Sequence, residues 1–192
     1  MRVTRQKAAE NRERIIDAAS AMFRAKGFDG VGLADIMKAA DLTHGGFYGH
    51  FASKDDLVAQ ASQRTMARAA TNWAKVTAEA PANPFAALLK HYLSPRHRDD
   101  PGHGCAFAAL SGDVARCGEP VHTAFAEGIE PLIDIVAAAI PARSKAARRR
   151  KAVAAVAELV GALILARAVS GTALSDEILD AARRELLAAA DR

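Results

Sequence analysis

Between residues 44 and 50 the chain reads HGGFYGH, with three glycines in seven residues. Phe47 and Phe51 stand four apart, so both lie on one face of a helical turn. Gly45, Gly46 and Gly49 each cost such a helix about 1 kcal/mol relative to Ala. A short helix that keeps its anchors and gives up its stability calls for a reason outside itself, and close approach of its backbone to another body is one. The stretch before it carries Leu33, Ile36, Met37 and Ala40 as an inner stripe. Asp41 falls where the chain must bend, in geometry that Asp tolerates less easily than Gly. Leu42 then anchors the turn and Thr43 caps the short helix. Ser53, with Asp56 three residues on, starts the next helix in the manner of a capping box. Residues 33–51 therefore read as two short helices joined by a tight turn.

The rest of the chain offers no strand of convincing alternation. Alanine and leucine dominate, aromatics make up only 5%, and that composition favours helices. The expected fold class is all-α, with about nine helices. A three-helix helix-turn-helix domain would span 1–52 and a helical effector-binding and dimerisation domain 53–192. Residues 1–10 read as polar and mobile. The first helix follows from Asn11, with Ile15, Ala19 and Phe23 inward and Gly27 as its stop. A long helix from Ser53 closes before Pro81 and Pro84, and another covers about 85–93. The segment SPRHRDDPGHG reads as a polar loop. Helices over about 105–116 and 119–140 come next, the second kinked near Pro131. Ser144 caps a helix to about 169, Gly171 stops it, and Ser175 caps the last helix.

Several function classes are disfavoured. Two cysteines do not make a disulfide scaffold, and twelve residues of straight helix would hold Cys105 and Cys117 about 18 Å apart. The N-terminus has no apolar signal core, and the apolar run 159–166 is too short to span a membrane, so no membrane partner is expected and a cytoplasmic location is. His103, Cys105, Cys117 and His122 have no standard zinc spacing, so no metal or cofactor is expected. A Cys105–His103 nucleophile pair would lack an orienting acid, and the chain is not expected to be an enzyme.

Nucleic acid fits better. The net charge is +4, with Arg2, Arg5, Lys7, Arg12 and Arg14 crowding the start and a second basic run at 143–151. His44, Tyr48, His50 and Lys54 project polar groups from the short helix and its flank, while Phe47 and Phe51 hold it down. Residues 11–58 resemble the DNA-binding domain of the TetR family of transcriptional regulators. The resemblance rests on Phe28-Asp29-Gly30, Asp35-Ile36, Leu42-Thr43, the run from Gly46 to Phe51, and Ser53-Lys54-Asp55-Asp56-Leu57. It implies an all-helical homodimer on a near-palindromic double-stranded operator, usually a repressor, with a pocket for an unknown small-molecule effector in the second domain. By position, Tyr48, His50 and Lys54 would contact phosphates, while Thr43, His44 and Gly45 would lie at the groove. Gly32 opens the second helix where the family usually has Thr or Ser, Asp41 replaces a usual Gly, and Gly49 stands where a large aromatic is frequent.

In the second domain, Ala154, Ala157, Gly161, Ile164, Leu165 and Ala168 form a small-residue and apolar stripe. Ile178, Leu179, Leu186 and Leu187 form another, and the two together are the candidate dimer surface. Trp73, Tyr92, Phe107 and Phe125 are the candidate lining of an apolar effector pocket. Cys105 belongs with them. It follows PGHG at a helix start, where His103 and the helix dipole would favour a thiolate, so an alternative is a repressor that senses electrophiles or oxidants through Cys105.

Overall fold

The computed structural model describes residues 5–191. Among these are nine α-helices, two 3-10 segments and no strand. Helix α1, Arg5–Lys26, buries Ile15, Ile16, Ala19 and Phe23 along one face. It begins earlier than its apolar stripe implies, so residues 5–10 are helical rather than a mobile lead; Arg2 lies outside the described residues. Gly27 ends it with φ 75, and its N–H donates to the Phe23 carbonyl at 2.8 Å. A Cβ on Gly30 would fall on the Lys26 carbonyl oxygen, so this turn admits only glycine.

Helix α2, Leu33–Ala39, closes on Asp41 at φ 57. The Asp41 N–H donates to the Lys38 carbonyl at 3.0 Å and the Leu42 N–H to the Met37 carbonyl at 2.9 Å. These are the two bonds of a Schellman ending, with Asp where glycine is usual. The left-handed residue costs about 1 kcal/mol. Arg14 of α1 pairs with the Asp41 carboxylate at 3.3 Å across exposed surface, a contact that adds little energy but ties α1 to the turn.

Helix α3, Lys54–Ala78, is the spine of the molecule. The Asp56 N–H donates to Ser53 Oγ at 3.0 Å as expected, while Asp56 Oδ2 accepts from the N–H of Ala52, one residue before the cap, at 3.1 Å, so the arrangement is box-like with its return bond shifted by one residue. Helix α1 packs on the N-terminal half of α3, and helix α7, Glu119–Ala139, crosses it further along. The crossing is close because α7 presents Gly128, where a Cβ would press into Met66 of α3.

Helices α4, Pro84–Tyr92, and α6, Ala106–Val114, flank the spine. Between them lies the segment read as a loop. It holds a short helix α5, Pro95–Asp99, and a 3-10 turn, Pro101–His103, started by the side chains of Ser94 and Asp100 with proline in the first turn of each. This strap is fastened at three points. Its Gly102 carbonyl accepts from Arg24 of α1 at 2.9 Å, and its His97 and Arg98 carbonyls accept from Arg167 at 2.9 and 3.1 Å. Its Arg98 donates to Ser175 at 2.9 Å and Asp176 at 2.6 Å. A Cβ on Gly104 would press on Arg167 Nη2 and crowd the Asp100 carbonyl, so glycine there eases the close approach of the strap to Arg167.

Helices α8, Lys145–Ala168, and α9, Ala173–Asp191, form the far side. Ser144 caps α8 as expected, accepting from the Ala147 N–H at 3.2 Å. Ser175 does not cap α9, which begins two residues before it. Its buried hydroxyl instead donates to the Ala166 carbonyl at 2.7 Å and accepts from Arg98. In the basic run, Arg149 pairs with Glu130 of α7 at 2.8 Å and Lys151 reaches the Pro141 and Ala190 carbonyls. Part of that run therefore holds α8 to its neighbours.

Candidate nucleic-acid interface

The stretch 44–49 is a 3-10 helix, tighter than the α-helix its i, i+4 anchors suggest. Thr43 occupies its N-cap without a side-chain bond, leaving the hydroxyl exposed and free. Phe47 is completely buried and Phe51 nearly so, their rings stacked at 5.5 Å. The Arg12 guanidinium covers the Phe51 ring at 5.1 Å and donates to Gln60, which locks the anchor from the α1 side.

Above these anchors the polar groups face outward. Tyr48 is 72% exposed, its ring edge-on to Phe47 at 5.2 Å. His44 is exposed, while His50 and Lys54 are half-buried. None of these four polar tips has a hydrogen-bond or ion-pair partner among the described residues. Lys54 stands in the first turn of α3, where the helix dipole disfavours a cation. Gly32 is the exposed N-cap of α2, with no side-chain cap there. Gly45 and Gly49 are exposed, neither has positive φ, and a Cβ on either would touch nothing within 4 Å. Nothing among the described residues accounts for these two glycines.

The residues expected to line an effector pocket separate. Trp73, Tyr92 and Cys105 border one cleft of about 510 Å³, between α1, α3, α4 and the strap. Phe107 and Phe125 do not. They pack edge-to-face at 5.3 Å inside the core, filling each other's space. The cleft is also more polar than expected, because α1 brings Arg24 and the strap brings His97 and Asp100 to its rim.

Cys105 is 6% exposed at the N-cap of α6. His103 is not its partner, since the imidazole turns outward to Asp100 at 2.9 Å. His97 takes that place by a different contact, accepting the Cys105 backbone N–H on Nε2 at 3.1 Å. Its Nδ1 then donates to the Tyr92 carbonyl at 2.8 Å, so neither ring nitrogen is left for the thiol. Burial, reinforced by nearby Arg167, lowers the His97 pKa from 6.5 to about 4 despite the Tyr92 contact. The unfolded chain therefore takes up a proton below pH 6.5 that the fold refuses until about pH 4. Stability from this residue is whole above pH 6.5 and is lost as pH falls toward 4, on the order of 3 kcal/mol in all. Urea unfolding at neutral pH and near pH 4.5 should show a smaller acid loss in His97→Gln than in the parent; equal losses would show that His97 carries none of it.

The dimer candidates also divide. On α8, Leu165 is 58% and Ile164 40% exposed, Ala154, Ala157 and Ala168 are exposed, and Gly161 is half-buried. On α9, Leu179 and Leu186 are buried against the protomer's own core, so they are not available to a partner; Ile178 and Leu187 are half-buried.

Among the described residues no cluster of three or more His, Cys, Asp or Glu is placed to hold a metal, and no helix is long and apolar enough to cross a membrane.

Residues 15–61 match the family described as bacterial regulatory proteins, tetR family. Over 59 residues the chain is 41% identical to the HTH-type transcriptional regulator AcrR of Shigella flexneri. That stretch is 31% of this chain and spans only 27% of the length of that relative. Solved structures match nearly end to end. Escherichia coli NemR in its reduced form has a TM-score of 0.77 at 21% identity, over 92% of this chain and 94% of that one. A TetR-family regulator from Agrobacterium tumefaciens has a TM-score of 0.77 at 20% identity, over 95% and 98%. At these identities the likeness is one of fold.

Proposed function

We infer the function from one premise: the chain carries, in residues 15–61, the DNA-binding domain of the tetR family of bacterial regulatory proteins. It acts as a transcriptional repressor, a homodimer that sets two 3-10 reading helices into successive major grooves of a near-palindromic operator and leaves when a small molecule fills the second domain. The observation that carries this reading is the surface around Gly45 and Gly49. Two glycines with ordinary backbone and empty space above them sit among the partnerless tips of His44, Tyr48, His50 and Lys54. Such a surface suits a phosphate backbone and a groove edge. Tyr48, His50 and Lys54 take phosphates. Thr43, His44 and Gly45 face the bases, and Gly32 lets α2 approach the backbone without a hydroxyl of its own.

A duplex selected from random DNA by the full-length protein provides the test. Lys54→Ala should weaken binding to every sequence and reduce the salt slope by about one. Tyr48→Phe should weaken it severalfold, about 1 kcal/mol for one lost hydrogen bond. Gly45→Ala should leave the fold as stable as before, or more stable by about 0.5 kcal/mol, yet bind the duplex less tightly. His44→Ala should change the preferred sequence. If all four variants bind like the parent, this surface does not read DNA.

Electrophile sensing through Cys105 is a second reading, supported by its place on the cleft wall. It predicts that N-ethylmaleimide releases the parent protein from DNA and does not release Cys105→Ser. Equal release of both excludes it.

A further inference from the structure

The cleft beside Trp73 contains an electrostatic imbalance that the chain does not resolve. Arg24 is half-buried at its rim, donating to the Gly102 carbonyl and to Thr65 Oγ1. No carboxylate among the described residues lies within ion-pair distance of it. Arg167, behind the strap, is in the same condition. It donates to two carbonyls, and its buried Nη1 has no partner. Desolvation lowers the pKa of both guanidiniums, the sign of cations held away from water without full compensation.

Tyr92 lines the same cleft as Arg24. It is 1% exposed, yet its hydroxyl has no hydrogen-bond partner. The Cys105 thiol lies beside that hydroxyl without completing a hydrogen bond. Burial raises the Tyr92 pKa well above its ordinary value, so the group remains a donor at neutral pH. A buried donor without an acceptor is costly to keep, and such a group calls for a missing partner such as a ligand. The strap is anchored to α1, α8 and α9, so these groups are held in place rather than free to turn toward water.

We propose that this cleft binds a small organic monocarboxylate, its carboxylate received by Arg24 and the Tyr92 hydroxyl and its apolar body lying against Trp73. A carboxylate supplies the acceptor that the Tyr92 hydroxyl lacks and the countercharge that Arg24 lacks, in a fork that suits a guanidinium. The cleft carries one carboxylate, Asp100, and that is engaged by His103. The indole of Trp73 also lines the cleft, packed edge-on to Tyr92 at 5.4 Å, which favours an acid with an apolar body over inorganic phosphate. About 510 Å³ is room for a one-ring or short-chain acid. The proposal rests on the effector-controlled reading above and deepens it. Arg24 belongs to α1, so an acid that draws its guanidinium from Gly102 and Thr65 acts directly on the helix that supports the DNA reader.

The chain has a single tryptophan, and it forms the cleft wall, so its fluorescence reports occupancy. Full-length protein is titrated with benzoate, phenylacetate and hexanoate, with the amide of each, and with inorganic phosphate. At least one acid should give a saturable change with a dissociation constant below about 1 mM, and its amide should bind at least about tenfold more weakly. Tyr92→Phe should weaken that acid about tenfold without lowering the unfolding midpoint in urea, which should rise if anything, since the change removes a buried hydroxyl that has no partner. Absence of saturable binding by any acid, equal binding of acid and amide, binding of phosphate alone, or full affinity in Tyr92→Phe each overturns the proposal. The selected duplex is titrated in parallel. DNA binding that persists without acid binding removes only the ligand class; loss of both removes the regulatory reading as well.

Discussion

Phe47→Ala is expected to destabilise the protein by about 4 kcal/mol and to abolish binding to the selected duplex. Phe47 is completely buried, stacked on Phe51 and edge-on to Tyr48, with Ile36 and Met37 buried in the same core. The 3-10 segment around it has three glycines and no side-chain cap, so little intrinsic helix stability is available to replace the lost packing. The cavity would loosen the whole reading segment at once, because Tyr48 and His50 owe their placement to the two anchored rings. Urea denaturation followed by circular dichroism measures the first effect and duplex titration the second. A loss below about 1 kcal/mol would mean that the segment is held by something other than its aromatic anchors.

Leu165→Glu is expected to separate the proposed dimer without unfolding the protomer. Val153, Ile164 and Leu165 of α8 and Leu174 near the start of α9 are the large aliphatic side chains left most open to solvent. Ala154, Ala157 and Ala168 lie along the same helix, and a Cβ on Gly161 would meet nothing within 4 Å. An aliphatic and small-residue face of this kind suits close packing against a second copy. A carboxylate in its centre would be desolvated without a partner. Sedimentation should show monomers at concentrations where the parent is dimeric, with the urea midpoint of the protomer unchanged. Affinity for a two-half-site duplex should fall about 100-fold or more, since the second contact is no longer intramolecular. A variant that still sediments as the parent does would place the partner surface elsewhere.

The parts of the fold legible from residue order were those with local causes. Ser53 with Asp56, Gly27 and Gly171 mark ends of elements by short-range chemistry, and each does so in the structure. Asp41 adopts the left-handed geometry that its position in the turn demanded. Misread features had causes far along the chain. The strap carries its own start signals in Ser94-Pro95 and Asp100-Pro101, but its density of Pro, Gly and charge resembles a loop until Arg24, Arg167 and Ser175 are seen to hold it. Ser175 had the right identity and position for a cap, and a tertiary partner took its hydroxyl instead. Leu179 and Leu186 share α9 with more open apolar positions, and periodicity cannot say which stripe faces the protomer's own core. Phe107 and Phe125 were expected to border space, but two aromatic rings that meet edge-to-face remove it.

The end of α1 has a consequence for anyone exchanging parts between such proteins. The Phe28 N–H donates to Asp113 of α6 at 3.0 Å, and a Cβ on Gly27 would press on the same carboxylate. With Arg24 fastened to the strap, the helix that supports the DNA reader is anchored twice to elements more than 70 residues away. A reading head cut at residue 52 would leave these groups behind, with an unsatisfied amide at its most critical bend. A working chimaera therefore needs the head together with Asp113 and a carbonyl in the place of Gly102, so the heritable unit of specificity is discontinuous in the chain.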